Sequence, residues 1–131
     1  MISGGRTGVM EFSCKGCTEN GGIALGILPG GKLSDGNQYC TIKIPTGLGS
    51  LRNYINASSA DGAIVISGST GTLIEVIRSS ELGKPIVCFP KTGNTAHEIA
   101  GKIFGKKGKK IKTAKTAQEA LNWLEQQIKK K

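Results

Sequence analysis

A turn rich in glycine and threonine, SGSTGTLIEV (residues 67–76), directly follows the apolar run AIVI. A helix N-terminus behind a strand presents free N–H groups and a partial positive charge, which together attract a phosphate group. Glycines let the backbone approach such an anion closely, and hydroxyl side chains add donors. A simpler interpretation also fits, because Thr72 and Glu75 have the spacing of a helix capping box. The segment therefore indicates a phosphate-binding turn, a capped helix start, or both.

Two other glycine turns precede predicted helices, GGRTG at residues 4–8 and GLGS at residues 47–50. None of the three is a Walker A loop, and none is a complete Gly-x-Gly-x-x-Gly fingerprint. Turns at the carboxyl ends of parallel strands share one edge of a sheet, and ligands bind at that edge. We therefore expect a phosphorylated ligand to be held by the first and third turns, through Gly4, Gly5, Arg6, Thr7, Gly8, Gly68, Ser69, Thr70, Gly71 and Thr72.

Short apolar runs that alternate with helical patterns indicate the fold class. Strands are predicted at residues 22–28, 41–44, 63–66 and 85–89, and around Ile111. Helices are predicted at residues 7–20, 51–59, 72–82, 96–104 and 116–129. Nearly continuous apolar strands are typical of a parallel sheet buried on both faces, and the alternation indicates a doubly wound α/β fold. With 131 residues, the chain is expected to form one domain.

The C-terminal helix carries the clearest local signals. Thr116 and Glu119 have capping-box spacing, in which each side chain bonds an otherwise unpaired backbone N–H. The apolar residues that follow share one helix face and are predicted to pack on the sheet; they are Ala117, Ala120, Leu121, Leu124 and Ile128.

The first ten residues, MISGGRTGVM, look like the end of a strand, a glycine turn and the start of a helix. In a doubly wound sheet the first βαβ unit supplies central strands, and without it strand edges are left uncovered. Either the protein begins upstream of Met1, or a second subunit fills the gap. We favour an upstream start, so the domain of residues 1–131 is expected to be truncated at its N-terminus.

Positive charge is concentrated at one end of the chain. The formal net charge is +9, and ten of the 18 basic residues but two of the nine acidic ones follow residue 101, which gives that segment +8. No nucleic-acid motif accompanies it, and a lysine-rich segment is typical of a solvated surface. No apolar run is long enough to span a membrane, and no signal-peptide pattern is present. We expect a cytoplasmic protein with neither a membrane partner nor a specific nucleic-acid partner.

Four cysteines include one Cys-x-x-Cys pair, Cys14 and Cys17. A four-thiolate zinc site usually needs two close pairs, and a thioredoxin-like pair sits at a helix start, whereas this pair falls inside a predicted helix. We therefore expect reduced, buried cysteines and no metal site. The single histidine, His97, is expected to be structural or exposed.

Two long runs carry a resemblance to a known superfamily, GGRTGVMEFSCKGCTENGGIALGILPG and IPTGLGSLRNYINASSADGAIVISGSTGTLIEVIRSSELGKPIVC. They resemble the LONELY GUY phosphoribohydrolases, whose relatives are often labelled lysine decarboxylase-like. Within that superfamily the chain is most similar to small proteins related to molybdenum cofactor carriers. The resemblance covers most of residues 2–90. It implies a Rossmann-like three-layer α/β sandwich with a mainly parallel sheet, and a homo-oligomer, since the superfamily usually forms dimers.

The superfamily's Pro-Gly-Gly-x-Gly-Thr-x-x-Glu motif corresponds to residues 67–75. The resemblance implies that Gly68, Gly71 and Thr72 bind a nucleotide phosphate. It also implies that Glu75 takes the place of the catalytic glutamate. Serines replace the motif's proline and second glycine, at positions 67 and 69.

The catalytic arginine of the phosphoribohydrolases corresponds to Arg52, which precedes Asp61 by the family's nine residues, but Asn53 replaces the lysine that follows it there. These departures favour the carrier-like branch. The predicted function is binding of a phosphorylated nucleotide or molybdopterin-type cofactor. The alternative is hydrolysis of the N-glycosidic bond of a nucleoside 5′-monophosphate, with Arg52 and Glu75 as catalytic residues.

Overall fold

The computed structural model describes residues 1–130. The chain divides into two compact units, residues 1–59 and residues 60 onward. Each unit carries its own parallel three-stranded sheet. The expectation of a single domain stays a prediction.

The first unit contains β1 (Ile2–Ser3), α1 (Val9–Glu19), β2 (Leu25–Leu28), β3 (Ile42–Pro45) and α2 (Arg52–Ser59). The strand order is β1-β2-β3, and both pairings are parallel. β1 agrees with the strand end predicted at the first residues. The buried centre is made of small side chains, namely Cys14, Ala24 and Cys40, so helix α1 can approach the sheet closely.

The second unit contains β4 (Ala63–Ile66), α3 (Thr70–Glu81), β5 (Ile86–Phe89), α4 (Asn94–Glu98), β6 (Lys112–Thr113) and α5 (Ala117–Lys129). The strand order is β4-β5-β6, again parallel throughout. Side chains along a strand point alternately to its two faces. On β5, Ile86 and Cys88 join a cluster with Val76 of α3 and Ala96 of α4.

The other face of β5 is covered as well. Val87 and Phe89 pack with Ala120 and Trp123 of α5. Helices therefore pack on both faces of β5, as the predicted α/β class with a parallel sheet requires. Burial along most of β5 explains why the run PIVCF is apolar. In β4 the expected burial on both faces is not observed, because Val65 is buried but Ile64 is exposed.

Several predicted boundaries shift, and one helix prediction is wrong. The segment 96–104 is not one helix, because α4 ends at Glu98. Gly101 has φ +72°, a left-handed conformation that interrupts a right-handed helix. The strand predicted at residues 22–28 begins only at Leu25, because the N–H of Gly22 instead bonds the carbonyl of Cys17 and ends α1.

The predicted cap of the C-terminal helix is confirmed for Thr116. Its hydroxyl accepts the N–H of Glu119 at 3.2 Å. The carboxylate of Glu119 accepts the N–H of Lys115 at 2.9 Å, one residue before the position that a strict capping box uses. This hydrogen bond lowers the pKa of Glu119.

Among the described residues, none of the helices combines the length and the apolar character needed to cross a bilayer.

Candidate functional site

Helix α3 begins at Thr70, two residues earlier than predicted. Ser69 occupies the N-cap position, and no side chain caps the helix there. Thr72 lies inside the first turn, with its side chain against Gly68, where an added Cβ would collide with it. The prediction that Thr72 caps this helix is therefore wrong. The first-turn N–H groups of α3 lack the side-chain partner that a cap would supply.

The turn before α3 is held in place by the segment that follows β5. The N–H of Ser67 donates to Thr92 Oγ1 at 2.6 Å, and that hydroxyl donates to the carbonyl of Phe89 at 2.6 Å. The carbonyl of Ser67 accepts the N–H of Ala96 at 3.0 Å. Segments that follow two different strands, 25 or more residues apart in sequence, are thereby tied together.

Thr95 adds a second connection to the same turn. Its side-chain hydroxyl donates to the carbonyl of Ser69 at 3.1 Å, and its N–H donates to the carbonyl of Gly68 at 3.4 Å. Thr95 is buried, whereas Ser69 and Thr70 are exposed. The turn is thus held in place on its buried side, by Thr95, and is open to solvent on the other side, at Ser69 and Thr70.

Two residues of this site adopt left-handed backbone conformations that non-glycine residues rarely take. Ser67 has φ +51° and Asn94 has φ +49°. Asn94 Nδ2 donates to Ser67 Oγ at 3.0 Å. Such strained residues concentrate at ligand clamps and active sites.

A cavity of about 380 Å³ lies in front of the turn, within the size range of small-molecule sites. One wall is the turn, the apolar part is Leu73, and the opposite wall is α4. Its lining residues are Gly68, Ser69, Thr70, Leu73, Asn94, Thr95 and Glu98. Glu98 is the one ionisable side chain in this lining.

In the first unit, the predicted turn of residues 4–8 connects β1 to α1. Gly4 and Gly5 are buried, and an added Cβ on Gly5 (φ +66°) would collide with Leu28 and Gly26. Packing alone therefore requires glycine at position 5. Arg6, Thr7 and Gly8 are exposed, and Gly8 begins α1 with no side-chain cap; these three are the residues of the turn that a ligand can reach.

Arg52, predicted from another part of the chain, reaches this same turn. Its guanidinium lies directly against Gly4, so that an added Cβ there would collide with it. Nη1 donates to the carbonyl of Ile27 at 3.0 Å. The structure thus brings Arg52 and Gly4 together within the first unit.

The buried thiols lie beneath that turn. Cys14 Sγ is 3.7 Å from Cys40 Sγ, which is also 3.8 Å from the carbonyl of Gly5. Burial, together with the neighbouring thiol of Cys14, raises the pKa of Cys40 to about 11, and burial also raises the pKa of Cys88. Cys17 is partly buried, and all four cysteines are free. The absence of a bound metal stays a prediction.

In the second unit, Gly71 and Thr72 lie in the first turn of α3, behind the residues that line the cavity. Glu75 lies in the second turn, is partly buried, and is not part of that lining. Thr92, Asn94, Thr95 and Glu98 were not predicted. The turn-rich stretch KTGNT behind the apolar run PIVCF was the available signal, because it follows a parallel strand at the ligand-binding edge.

A family model described as the SLOG cluster4 family matches residues 1–121. The chain belongs to the SLOG cluster4 family. An uncharacterized protein of Archaeoglobus fulgidus is 38% identical over 86 residues, a stretch that spans 66% of the SLOG cluster4 chain and 56% of the archaeal protein.

Solved structures resemble this SLOG cluster4 chain along nearly its whole length. The X-ray structure of TM1055, a structural genomics target, matches with a TM-score of 0.87 and 35% identity, over 95% of this chain and 76% of that one. The molybdenum cofactor binding protein of Rippkaea orientalis matches with a TM-score of 0.81 and 28% identity, over 95% and 75%. The molybdenum cofactor carrier protein of Chlamydomonas reinhardtii matches with a TM-score of 0.75 and 30% identity, over 99% and 78%. These matches confirm the Rossmann-like α/β class.

Proposed function

We propose that the protein binds a phosphorylated nucleotide or pterin-type cofactor at the turn of residues 67–72, in the manner of a molybdenum cofactor carrier. The observation that carries the proposal is the uncapped N-terminus of α3 behind a turn that is fixed from one side and open to a cavity on the other. Similarity to one protein named for binding molybdenum cofactor and to another named for carrying it supports this ligand class.

The turn is preorganised for a phosphate. A phosphate needs several N–H and O–H donors that already point toward it, because ordering them on binding would cost conformational entropy. Ser67, Thr92 and Thr95 hold the turn before any ligand arrives. The hydroxyls of Ser69 and Thr70 make no hydrogen bond within the described residues, so they remain available to a phosphate.

Within the first unit, the exposed start of α1 carries the other predicted phosphate-binding residues. Arg6 is a fixed positive charge, and Thr7 and Gly8 bring a hydroxyl and an uncapped helix N-terminus. Gly4 and Gly5 act indirectly in this proposal, since they are buried and shape the turn. Arg52 supports the turn from behind through its contact with Gly4.

Hydrolysis of a nucleoside 5′-monophosphate is the alternative function. Its candidate residues are Arg52, which would orient a phosphate or carboxylate, and Glu75, which would activate water or stabilise an oxocarbenium-like centre. One feature favours binding over this alternative. The phosphoribohydrolase motif has proline where this chain has Ser67, and proline cannot adopt the φ of +51° observed at that position. The turn of this chain therefore differs in backbone conformation from any turn that begins with proline.

Mass spectrometry of small molecules released from the purified protein tests the proposal directly. A co-purified pterin or nucleotide phosphate at near-stoichiometric amount is the expected result. Incubation with AMP is the second arm, in which free adenine is the product of the alternative function. Release of adenine with multiple turnovers per protein molecule would favour hydrolysis. If no phosphorylated ligand co-purifies and the protein has no affinity for any nucleotide monophosphate, both the proposed function and the alternative are wrong.

A further inference from the structure

We propose that Glu98 recognises the ligand's heterocycle by accepting the two adjacent N–H groups of a 2-amino-4-oxo-pyrimidine edge, the edge that guanine and pterins share and adenine lacks. The inference rests on the proposed function, because it assigns Glu98 to the heterocycle of a ligand whose phosphate lies at the turn of the same cavity. It names the class of heterocycle that the cavity would select.

The position of Glu98 follows from the geometry of α4. Asn94, Thr95 and Glu98 line the cavity together, as residues three and four apart share one helix face. Thr95 is bonded to Ser69 of the turn. Glu98 lies about one helical turn farther along, a rise of roughly 5 Å. A ligand whose phosphate lies at the turn can therefore reach Glu98 by extending along α4.

The polar groups of the cavity divide by type. Near the turn they are donors, namely the first N–H groups of α3 and the hydroxyls of Ser69 and Thr70. On α4 they are acceptors, because Asn94 uses its Nδ2 on Ser67 and presents Oδ1, and Glu98 is a carboxylate. Glu98 makes no hydrogen bond or ion pair within the part of the chain that the structure describes.

This division excludes a second anionic group at Glu98, since two negative charges in one small cavity repel each other. It favours a ligand with a phosphate at one end and N–H donors at the other. A carboxylate binds two parallel N–H donors in bidentate fashion, and such charge-assisted hydrogen bonds are stronger than neutral ones. Leu73 supplies the apolar surface that the flat ring can cover between the two ends.

Isothermal titration of the full chain with GMP, AMP and inorganic phosphate tests the assignment. The wild-type protein is expected to bind GMP about tenfold more tightly than AMP, as one charge-assisted hydrogen-bonded pair allows. Glu98→Gln should remove that preference by weakening the binding of GMP, whereas AMP and phosphate should bind no more weakly, because they do not use the carboxylate and one negative charge is removed from the cavity. Glu125→Gln on α5 is the matched control, because it removes the same charge from an exposed residue outside the cavity lining.

Equal affinity of the wild-type protein for GMP and AMP would overturn the assignment. So would a Glu98→Gln variant that binds all three ligands more tightly, because Glu98 would then only repel phosphate. If Gly71→Asp abolishes binding of all three ligands while Glu98→Gln changes nothing, the proposed function stands and this inference fails. If no variant and no wild-type protein binds any of them, both fail.

Discussion

Ser67 and Asn94 form a pair in which both backbones are left-handed and the two side chains are joined by a 3.0 Å hydrogen bond. Each follows a strand of the same parallel sheet, Ser67 directly after β4 and Asn94 beyond the short turn after β5. Non-glycine residues in this conformation cost of order 1 kcal/mol or more each. The pair is therefore maintained against a local cost, and one of its two members, Asn94, lines the cavity.

Substitution of Ser67 separates the role of its backbone from that of its side chain. Ser67→Gly relieves the left-handed strain but loses the bond to Asn94, so stability should stay within about 1 kcal/mol of wild type. Ser67→Pro cannot adopt φ +51° and also removes the N–H that bonds Thr92, so a loss of about 3 kcal/mol or more is expected. Chemical denaturation of both variants measures these effects. A proline variant as stable as wild type would show that the left-handed turn is not required.

The sequence could predict features of the site that depend on neighbouring residues, but not those that depend on contacts between residues far apart in the chain. The apolar runs AIVI and PIVCF identified β4 and β5, although β5 is buried along most of its length and β4 leaves Ile64 exposed. The start of α3 was misplaced, because Thr72 and Glu75 have capping-box spacing by coincidence while Ser69 is the actual N-cap. Local spacing could not distinguish the two.

The α4 side of the cavity was missed for a different reason. Asn94 lies 27 residues after its partner Ser67, and nothing in the local pattern reveals a contact across that distance. The prediction of a helix at residues 96–104 also obscured it, because a helix that begins at residue 96 leaves Asn94 outside the element, whereas α4 begins at Asn94. The composition of a strand indicates whether it is buried, whereas the position of a cavity depends on which strand ends become neighbours in the fold.

Gly71→Asp tests whether the start of α3 holds an anion. An acidic residue in the first turn of a helix is favourable for the helix itself, so the fold should remain intact. A negative charge beside the phosphate position should nevertheless abolish binding of phosphorylated ligands. Gly71→Asn is the control of similar size without the charge, and it should retain more affinity. Titration with GMP measures both, and unchanged binding by Gly71→Asp would remove this turn from the site.

Glu75→Ala separates catalysis from binding and stability. A catalytic Glu75 acts mainly on the transition state, so its loss would abolish turnover and leave ligand affinity unchanged. For a binding protein, we expect affinity within about threefold of wild type, since Glu75 lies outside the cavity lining, and a change in stability of about 0.5–3 kcal/mol, the usual range for single substitutions. Adenine release from AMP, measured beside affinity, distinguishes the cases: turnover in wild type that disappears in the variant would establish the enzyme.

The thiol of Cys40 predicts a pH dependence of stability. Its pKa is raised from an ordinary value of 9.0 to about 11 in the folded protein, mainly by burial. Between these values the unfolded chain loses the proton while the folded chain keeps it, so the contribution of Cys40 is constant below about pH 9 and falls as the pH rises toward 11. Denaturation midpoints across this window should decline more steeply for wild type than for Cys40→Ala. Equal slopes would contradict the assignment to this thiol.

Oligomer formation remains a prediction, and α1 offers a place to test it. Val9 and Phe12 lie three residues apart on one face of α1 and are exposed, Phe12 to 73%. An exposed phenyl ring of this kind is typical of an interface. Phe12→Glu should convert a dimer into a monomer in light scattering, whereas Glu11→Gln, a change on the neighbouring residue, should not. A wild-type protein that is monomeric at high concentration would rule out the dimer.

The contact between Gly4 and Arg52 gives a prediction in which two substitutions must compensate. Gly4→Ala places a methyl group where the guanidinium lies, so Arg52 must move and its bond to the Ile27 carbonyl is disturbed. Overpacking of this kind typically costs about 1–3 kcal/mol. Gly31→Ala is the control, because an added Cβ at Gly31 meets open space.

In the double variant Gly4→Ala with Arg52→Ala the collision is absent, so Gly4→Ala should cost less stability there than in the wild-type background. The coupling energy from the four denaturation curves measures this difference. Strict additivity would show that Arg52 does not rest on Gly4, and would remove Arg52 as the support of the turn.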